Sequence, residues 1–209
     1  MIPPAFITFE GLDGTGKSTQ LELLASHLRA RGLQVETTRE PGGTKLGERI
    51  RDWLLAGSAA PVPAAELALM TAARAQHVAE RIQPALASGA WVLCDRYYDA
   101  TVAYQGGGRG LDLDTIARLH QLLCAGLMPD LTMILTLDRA TALARARRLP
   151  SAGRFEAEHD AFFARVEAAY RALAAREPAR CRLVEAVGDR EAVARRILAL
   201  VGARWEGIV

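Results

Sequence analysis

The stretch Gly11–Ser18, GLDGTGKS, has the spacing of a phosphate-binding loop, with glycines at both ends and a Lys-Ser pair that closes it. It follows an apolar, strand-like run, Phe6–Phe9, and leads into a helix-like segment, Thr19–Ala30. A strand, a glycine-rich turn and a helix in this order direct backbone N–H groups and the positive end of the helix dipole toward a polyphosphate. A plain glycine-rich turn would not require this setting. The motif therefore predicts that the chain binds a nucleoside triphosphate.

Two residues at the end of this loop carry its expected chemistry. Lys17 is expected to reach the β and γ phosphates, and the Ser18 hydroxyl is expected to ligate Mg²⁺. The chain has 26 basic residues, of which Lys17 and Lys45 are lysines and the others are arginines. A compact ammonium fits a phosphate loop where a guanidinium fork would clash. The lysine at position 17 therefore supports this interpretation, and Lys45 does not bear on it.

The composition indicates one compact domain without a nucleic-acid ligand. The 209 residues include no long Pro/Gly/Ser linker, half of them are hydrophobic, and the net charge is +2 without a long basic block. These features predict a single domain and argue against nucleic acid as a partner. No run of 18 apolar residues occurs, and the three cysteines lack paired or metal-ligand spacing. We therefore expect no membrane segment and a reducing, cytoplasmic environment.

Short apolar runs alternate with longer amphipathic stretches, which is the pattern of a parallel sheet covered by helices on both faces. Strands are predicted near residues 5–10, 34–38, 90–95, 131–137 and 181–186. Helices are predicted over about 17–31, 45–55, 64–88, 112–126, 139–148, 157–176 and 189–203. The predicted fold class is α/β, a three-layer α/β/α arrangement of the P-loop NTPase type with a five-stranded parallel sheet and a short helical lid.

Charged residues follow four of the predicted strands. They are Glu10 before the phosphate loop, Arg39–Gly43 after the second strand, Asp95–Tyr97 after the third and Asp138–Arg139 after the fourth. In such sheets ligands gather at the carboxyl ends of the strands. The sequence therefore predicts a polar site along this edge.

Asp95 closes the apolar run Trp91–Cys94. A carboxylate at this position of a P-loop enzyme faces the magnesium ion, usually through water. A helix cap, or a partner for Arg96, is the alternative. Because Mg²⁺ keeps its waters and needs few carboxylates, we favour the metal role.

Arg39 and Arg96 stand at the ends of neighbouring predicted strands, in front of the phosphate loop. A single arginine there would usually form a surface salt bridge. Two guanidinium forks at this place favour a clamp on a second phosphate. The following turn, Pro41–Gly43, lets backbone approach a ligand closely, although a simple turn into the next helix would use the same residues.

The stretch Ala103–Gly110, AYQGGGRG, places an aromatic ring and an amide before a glycine-rich segment. Gln105 offers both a donor and an acceptor to the edge of a nucleobase, and Tyr104 supplies an apolar surface. We interpret the glycines as a flexible loop. A plain loop would not need the two preceding side chains.

Four arginines, at positions 145, 147, 148 and 154, flank a break in the helical pattern at Leu149–Gly153. Arginines on an exposed helix are more often simply solvated. Position 14 of the phosphate loop is Gly, however, so the loop supplies no cation beyond Lys17. Charge that develops on a transferred phosphoryl group needs another donor, which favours a mobile, positively charged lid.

Taken together, these motifs resemble the thymidylate kinase family over nearly the whole chain. The resemblance rests on Phe9–Thr19, Thr38–Gly43 (TREPGG), Asp95–Tyr97 and Ala103–Gly110, in this order and at these separations. It implies an enzyme that transfers the γ-phosphoryl group of ATP to dTMP, giving dTDP and ADP, in dTTP biosynthesis. It also implies the bacterial form with catalytic lid arginines, one nucleoside monophosphate kinase domain over residues 1–209 with its lid at about 145–156, and a homodimer.

The resemblance assigns roles to individual residues. The implied ATP contacts are Gly11, Asp13, Gly14, Thr15, Gly16, Lys17, Ser18, Thr19 and Arg145, and the Mg²⁺ contacts are Ser18 and Asp95. The implied dTMP contacts are Arg39 and Arg96 at the phosphate, Asp13 and Tyr104 at the sugar, and Met70, Arg74, Thr101 and Gln105 at the base. The implied catalytic residues are Lys17, Arg96, Arg154 and Arg147.

Two positions depart from the family pattern. Met70 stands where a phenylalanine is usual, so a thioether replaces the aromatic ring under the base. Sulfur–aromatic contacts contribute about 0.3–1.5 kcal/mol, and we therefore expect changed base affinity rather than lost activity. The lid has Gly153-Arg154 where Asp-Arg is common, which leaves the pairing of Arg154 open.

Two other functions stay open on the sequence. The chain could instead be a kinase for a different nucleoside monophosphate, because Met70 replaces the phenylalanine that is usual under thymine. A nucleotide-switched binding protein of the GTPase kind would require an Asn-Lys-x-Asp tetrapeptide, and the sequence contains none.

Overall fold

The computed structural model describes residues 3–55, 61–148 and 158–208, which share one parallel sheet. Its strands are β1 (Phe6–Glu10), β2 (Val35–Arg39), β3 (Trp91–Asp95), β4 (Leu131–Thr136) and β5 (Cys181–Glu185). Their order is β2-β3-β1-β4-β5, and every neighbouring pair is parallel. The strand that precedes the phosphate loop is therefore the central one.

Helices cover both faces of this sheet. They are α1 (Lys17–Ala30), α2 (Lys45–Leu55), α3 (Pro63–His77), α4 (Gln83–Ala87), α5 (Tyr98–Thr101), α6 (Leu113–Leu123), α7 (Arg139–Ala146), α8 (Asp160–Arg176) and α9 (Arg190–Arg204). The predicted three-layer α/β fold with five parallel strands is confirmed. The predicted break at 149–153 lies outside the described residues.

Alternation along β1 divides the core between the two faces. Ile7 and Phe9 pack with α1 and α9 on one face, in a cluster that includes Leu28 and Val201. Phe6 points to the opposite face, where the helices α3, α5, α6 and α8 lie. Because β1 is buried on both faces, its end is held rigidly, and so is the loop that follows.

The helix predicted over 64–88 is not a regular α-helix throughout. A wide turn, Val78–Ile82, separates α3 from α4, and the Gln83 N–H bonds the Val78 carbonyl across it. Pro84 follows directly and has no N–H to donate, which favours a local change of helix geometry.

The expectation of a flexible glycine loop after Gln105 was wrong. Val102–Gly108 forms a wide helical turn that continues α5, and most of it is buried. A Cβ on Gly108 would lie 2.5 Å from the Phe162 ring, and one on Gly107 would lie 2.6 Å from Ala169 Cβ. The glycines are needed because α8 packs closely over this turn, and flexibility is not their purpose.

A buried ion pair fixes α5, the short helix that begins just after Arg96. The Asp99 carboxylate is fully buried and accepts bonds from Arg180 at 2.6 and 2.9 Å and from Thr132 at 2.8 Å. These contacts tie α5 to β4 and to the residue before β5. A charged group at this depth is stable only with such partners.

The Asp99→Ala variant is expected to lose about 3–5 kcal/mol of unfolding free energy, because it breaks the buried ion pair and leaves Arg180 with Glu177 as its remaining carboxylate partner among the described residues. Urea denaturation at neutral pH measures this. Glu191→Ala, which removes an exposed partner of Arg190, serves as the control and should leave the midpoint nearly unchanged. Equal urea midpoints for wild type and Asp99→Ala would contradict a stabilising role for the Asp99–Arg180 ion pair.

Candidate active site

The phosphate loop joins β1 to α1 at the centre of the sheet edge. Gly14 has φ 82°, in the left-handed region that favours glycine. A Cβ at this position would lie 2.1 Å from the Ala142 carbonyl oxygen and 2.9 Å from the Ala146 nitrogen. The absence of a side chain at position 14 therefore lets α7 lie directly against the loop.

Lys17 occupies the first turn of α1 and is buried. Its ammonium donates to the Leu12 carbonyl at 3.0 Å and to the Asp13 carboxylate at 3.3 Å. The Thr15 hydroxyl also donates to the Leu12 carbonyl. The loop thus holds its cation at the place where a polyphosphate would lie along the helix N-terminus.

Ser18 and Asp95 meet across the sheet edge. The Ser18 hydroxyl donates to the Asp95 carboxylate at 2.5 Å. No group of three His, Cys, Asp or Glu side chains arranged for a metal occurs in the described part of the chain. Mg²⁺ requires oxygen ligands, retains several waters and is usually held by one or two carboxylates plus substrate phosphates. The pair Ser18 and Asp95 fits that donor set.

An open cleft of about 730 Å³ lies beside the loop. Part of this volume is open solvent at the mouth of the cleft. Of the residues expected to contact dTMP, the cleft is lined by Asp13, Met70, Arg74, Arg96, Thr101, Tyr104 and Gln105. Its wall also includes Glu40, Arg51 and Tyr97. Arg39 is not among the lining residues.

Arg96 connects the cleft to the phosphate loop. Its guanidinium donates to Asp13 at 2.8 Å and to the Tyr104 hydroxyl at 3.1 Å, and it lies 4.9 Å from the centre of the Tyr104 ring. Its φ of 69° is uncommon for a residue with a side chain, and such strain persists only where the surroundings enforce it. The turn after β3 thereby directs the guanidinium at the loop.

The charge state of Asp13 follows from these contacts. Burial alone would raise the pKa of its carboxyl, but Arg96 and then Lys17 outweigh that effect and hold the pKa well below its ordinary value. Asp13 is therefore an anion that contacts two cations: Lys17 of the phosphate loop and Arg96 of the cleft.

Arg39 and Arg51 are the other guanidinium groups near this edge. Arg39 is half exposed and donates to Glu48 at 2.7 Å. Arg51 lines the cleft and donates to the Pro41 carbonyl at 3.1 Å. Burial, and then the neighbouring Arg39, lowers the pKa of Arg51. Sequence reasoning missed Arg51, because one arginine on a helix among many carries no signal.

Arg74 is held rigidly at the far end of the cleft. Its Nε donates to Glu40 at 2.7 Å, and its Nη2 donates to the Thr101 hydroxyl at 2.8 Å and the Tyr97 carbonyl at 3.1 Å. Within the described residues, Nη1 has no hydrogen-bond partner. Glu40 is itself fixed by His77 at 2.9 Å.

Tyr104 and Gln105 lie side by side on the wide turn and are buried. Gln105 donates through Nε2 to the Glu66 carboxylate at 2.7 Å. Glu66 was not predicted, although a signal existed: it lies four and eight residues before Met70 and Arg74, on the same face of α3.

Glu10 is fully buried behind Arg96. It accepts bonds from the Tyr97 N–H at 2.8 Å and from the Tyr170 hydroxyl at 2.7 Å, and Arg96 donates to that hydroxyl at 3.4 Å. Burial, and then the nearby Asp99, raises the pKa of Glu10 to about 7. Tyr170 was not predicted, since it lies 160 residues from Glu10 in the sequence.

The expected lid is described only in part. Arg145 and Arg147 are exposed on either side of Ala146, which lies against Gly14. Arg154 lies outside the described residues. The fourth charged strand end does not join the site: Asp138 caps α7 through the Thr141 N–H, and Arg139 pairs with Asp160 and Glu167.

A phosphate loop beside a cleft with its own guanidinium groups and hydrogen-bonding wall defines a P-loop kinase that acts on a small phosphorylated acceptor. Comparisons with known proteins make this specific. The family model described as thymidylate kinase matches residues 9–197. The chain belongs to the thymidylate kinase family, whose members phosphorylate dTMP.

Individual relatives agree with the family match. A thymidylate kinase of Pseudomonas putida is 53% identical over 197 residues, covering 94% of both chains. One of Thermomicrobium roseum is 51% identical over 197 residues, covering 94% of this chain and 93% of the relative. The crystal structure of thymidylate kinase from Ehrlichia chaffeensis superposes with a TM-score of 0.77 at 32% identity, covering 95% of this chain and 98% of that one. The expected family and function are confirmed.

None of the helices in residues 3–55, 61–148 and 158–208 is long and apolar enough to cross a membrane.

The Glu10→Gln variant tests the buried carboxyl through the pH dependence of stability. The folded pKa of about 7 exceeds the ordinary value of 4.5. The stability contribution of Glu10 is therefore fully present below about pH 4.5 and is lost as the pH rises through about 7. Because glutamine does not ionise, the variant should gain roughly 1–3 kcal/mol relative to wild type between pH 5 and pH 8. Denaturation curves at several pH values measure this.

Glu22→Gln, at an exposed position on α1, is the control and should follow the wild-type pH dependence. A constant difference between Glu10→Gln and wild type across this range would mean that Glu10 is ionised throughout.

Proposed function

We propose that the chain transfers the γ-phosphoryl group of ATP to dTMP through the loop and cleft described above, giving dTDP and ADP. One observation carries the proposal: the 2.8 Å ion pair between Asp13 of the phosphate loop and Arg96 of the cleft. Because these two side chains are in direct contact, the expected site of the ATP phosphates adjoins the expected site of the dTMP phosphate. In-line phosphoryl transfer requires donor and acceptor to lie this close together.

ATP is the phosphoryl donor in this family. We assign its β and γ phosphates to Lys17 and to the backbone N–H groups of the loop, because Lys17 is buried at the start of α1 beside Asp13. Ser18 and Asp95 would hold Mg²⁺. When bound, the ion would neutralise charge on the phosphate oxygens.

The acceptor phosphate is assigned to Arg96, with Arg39 and Arg51 beside it. Arg96 is the best placed, since it lines the cleft and contacts the loop. Binding of an anion here is favoured because Arg51 is partly buried and lies close to Arg39 and Arg96. The acceptor oxygen is already anionic, so no general base is required, and positioning supplies the catalysis.

The nucleoside is assigned to the inner part of the cleft. Arg74, Thr101 and Gln105 would contact the base edge, with Met70 packing on the ring. Tyr104 would lie against the sugar at the position of a 2′-hydroxyl, and Asp13 near the 3′-hydroxyl. The lid would stabilise the negative charge of the transferred phosphoryl group through Arg145, Arg147 and Arg154.

The remaining proposals concern the whole molecule. We take residues 1–209 as one nucleoside monophosphate kinase domain with a lid at about 145–156. Exposed apolar side chains on α2 and α6, including Trp53 and Leu122, offer surface for a homodimer. The three buried, unpaired cysteines suit a cytoplasmic location.

An acceptor panel tests the function. ADP release, followed in a coupled assay, should depend on dTMP and be much weaker with dUMP, dGMP, CMP or AMP. Lys17→Ala should lower kcat by about 10²–10³-fold, because a preorganised cation is removed from the transferred group. Lys45→Ala, at the exposed start of α2, should behave as wild type. ADP release that no nucleotide acceptor stimulates would refute the proposal.

A second kinetic test addresses the lid. Arg154→Ala should lower kcat by a larger factor than it raises KM for dTMP, because the arginine would contact charge that develops during transfer. Arg195→Ala, an exposed arginine on α9, is the control. Unaltered kcat for Arg154→Ala would transfer the role to Arg147 or Arg145, which the same assay examines.

A further inference from the structure

Gln105 has an amide whose orientation decides what it presents to a base. The amide has a donor end and an acceptor end, and which end faces a partner follows from the chemistry of that partner. Glu66, fully buried on α3, lies 2.7 Å from the amide nitrogen. An ionised carboxylate accepts hydrogen bonds and donates none, so the nitrogen must face Glu66.

The opposite end of the amide is left for a ligand. Gln105 lines the cleft, and within the described residues its Oε1 has no hydrogen-bond partner. The neighbouring Arg74 presents Nη1, which is a donor, while Glu40 and Thr101 occupy its other nitrogens. The end wall of the cleft therefore offers one acceptor and one donor in fixed positions.

This pair is complementary to one kind of pyrimidine edge. Thymine and uracil have a donor at N3–H and an acceptor at O4, whereas cytosine has an acceptor at N3 and a donor at its 4-amino group. Cytosine would place like groups against both Gln105 and Arg74. A site with fixed polar groups rejects a base that leaves them unpaired more strongly than an apolar pocket does.

Glu66 is itself held by a group that can only donate. Arg109 approaches both oxygens of the Glu66 carboxylate, with its Nε and Nη2 each at 3.3 Å. Arg109 also bonds Glu158 at 2.6 Å and lies 4.7 Å from the centre of the Phe162 ring. Both oxygens of Glu66 must therefore be acceptors, which excludes a flipped Gln105 that would present its own oxygen to Glu66.

We infer that Glu66 is a specificity-determining positioning residue, which fixes the amide of Gln105 so that its oxygen faces the N3–H donor of a 4-oxopyrimidine. The inference rests on the proposed function, since it concerns how that site reads the acceptor base. Glu66 acts through Gln105 and does not touch the substrate.

The matched acceptors dUMP and dCMP test it, because they share sugar, phosphate and the missing methyl group and differ at N3 and C4. Wild type should favour dUMP by about 100-fold in kcat/KM, as expected for two mismatched hydrogen bonds. In Glu66→Gln the amide at 66 can turn its oxygen to Arg109 and its nitrogen to Gln105, which releases the orientation of Gln105. The ratio should then fall about tenfold, with KM for ATP unchanged.

Two further variants separate positioning from a general structural effect. Glu158→Gln removes a second carboxylate that Arg109 bonds, without a contact to Gln105 among the described residues, and it should keep the wild-type ratio. Gln105→Ala should lower the ratio, and adding Glu66→Gln to it should cause no further fall. A ratio unchanged in Glu66→Gln, or one that falls equally in both backgrounds, would overturn the inference.

If Glu66→Gln does not fold, binding of dUMP and dCMP to wild type and Gln105→Ala decides the matter. Equal discrimination by both proteins would overturn the inference, because Glu66 acts only through Gln105. Wild-type enzyme that turns over dTMP but fails these tests refutes only the role of Glu66. Absence of dTMP-dependent ADP release refutes the proposed function itself.

Discussion

The ion pair between Asp13 and Arg96 is the contact on which the site depends. Arg96 reaches it from a strained backbone position at the end of β3, and Asp13 reaches it from the phosphate loop after β1. The two strands are hydrogen-bonded neighbours with Phe9 opposite Asp95. The register of the sheet therefore sets the separation of the donor and acceptor sites, and core packing on both faces keeps that register fixed.

Three buried carboxylates help to fix the side chains of the cleft. Glu10 bonds the Tyr170 hydroxyl that Arg96 also contacts, Glu40 holds Arg74, and Glu66 holds Gln105. A buried anion is costly unless it is paired or neutralised. Glu40 and Glu66 are paired with arginines, and burial raises the pKa of Glu10 to about 7, which favours its neutral form more than in an exposed glutamate.

The sequence predicted the motifs well and the contacts between them poorly. Strand and helix patterns located the five strands within one or two residues, because buried parallel strands give continuous apolar runs. The phosphate loop and the segments TREPGG, Asp95–Tyr97 and AYQGGGRG supply seven of the thirteen described residues that line the cleft. Glu66, Arg51 and Tyr170 were missed, since their roles arise from partners 39 to 160 residues away or from helix packing. The glycines after Gln105 were misread as flexible, because close packing and mobility favour the same residue.

Gly14 shows how the phosphate loop and α7 constrain one another. Its hydrogen atom occupies space that α7 would deny to any larger group, as the 2.1 Å approach to the Ala142 oxygen demonstrates. A cationic side chain at position 14 would require α7 to move away, together with the arginines on either side of Ala146. If the arginines on either side of Ala146 stabilise the transferred group as proposed, a cation at position 14 and these arginines exclude one another sterically.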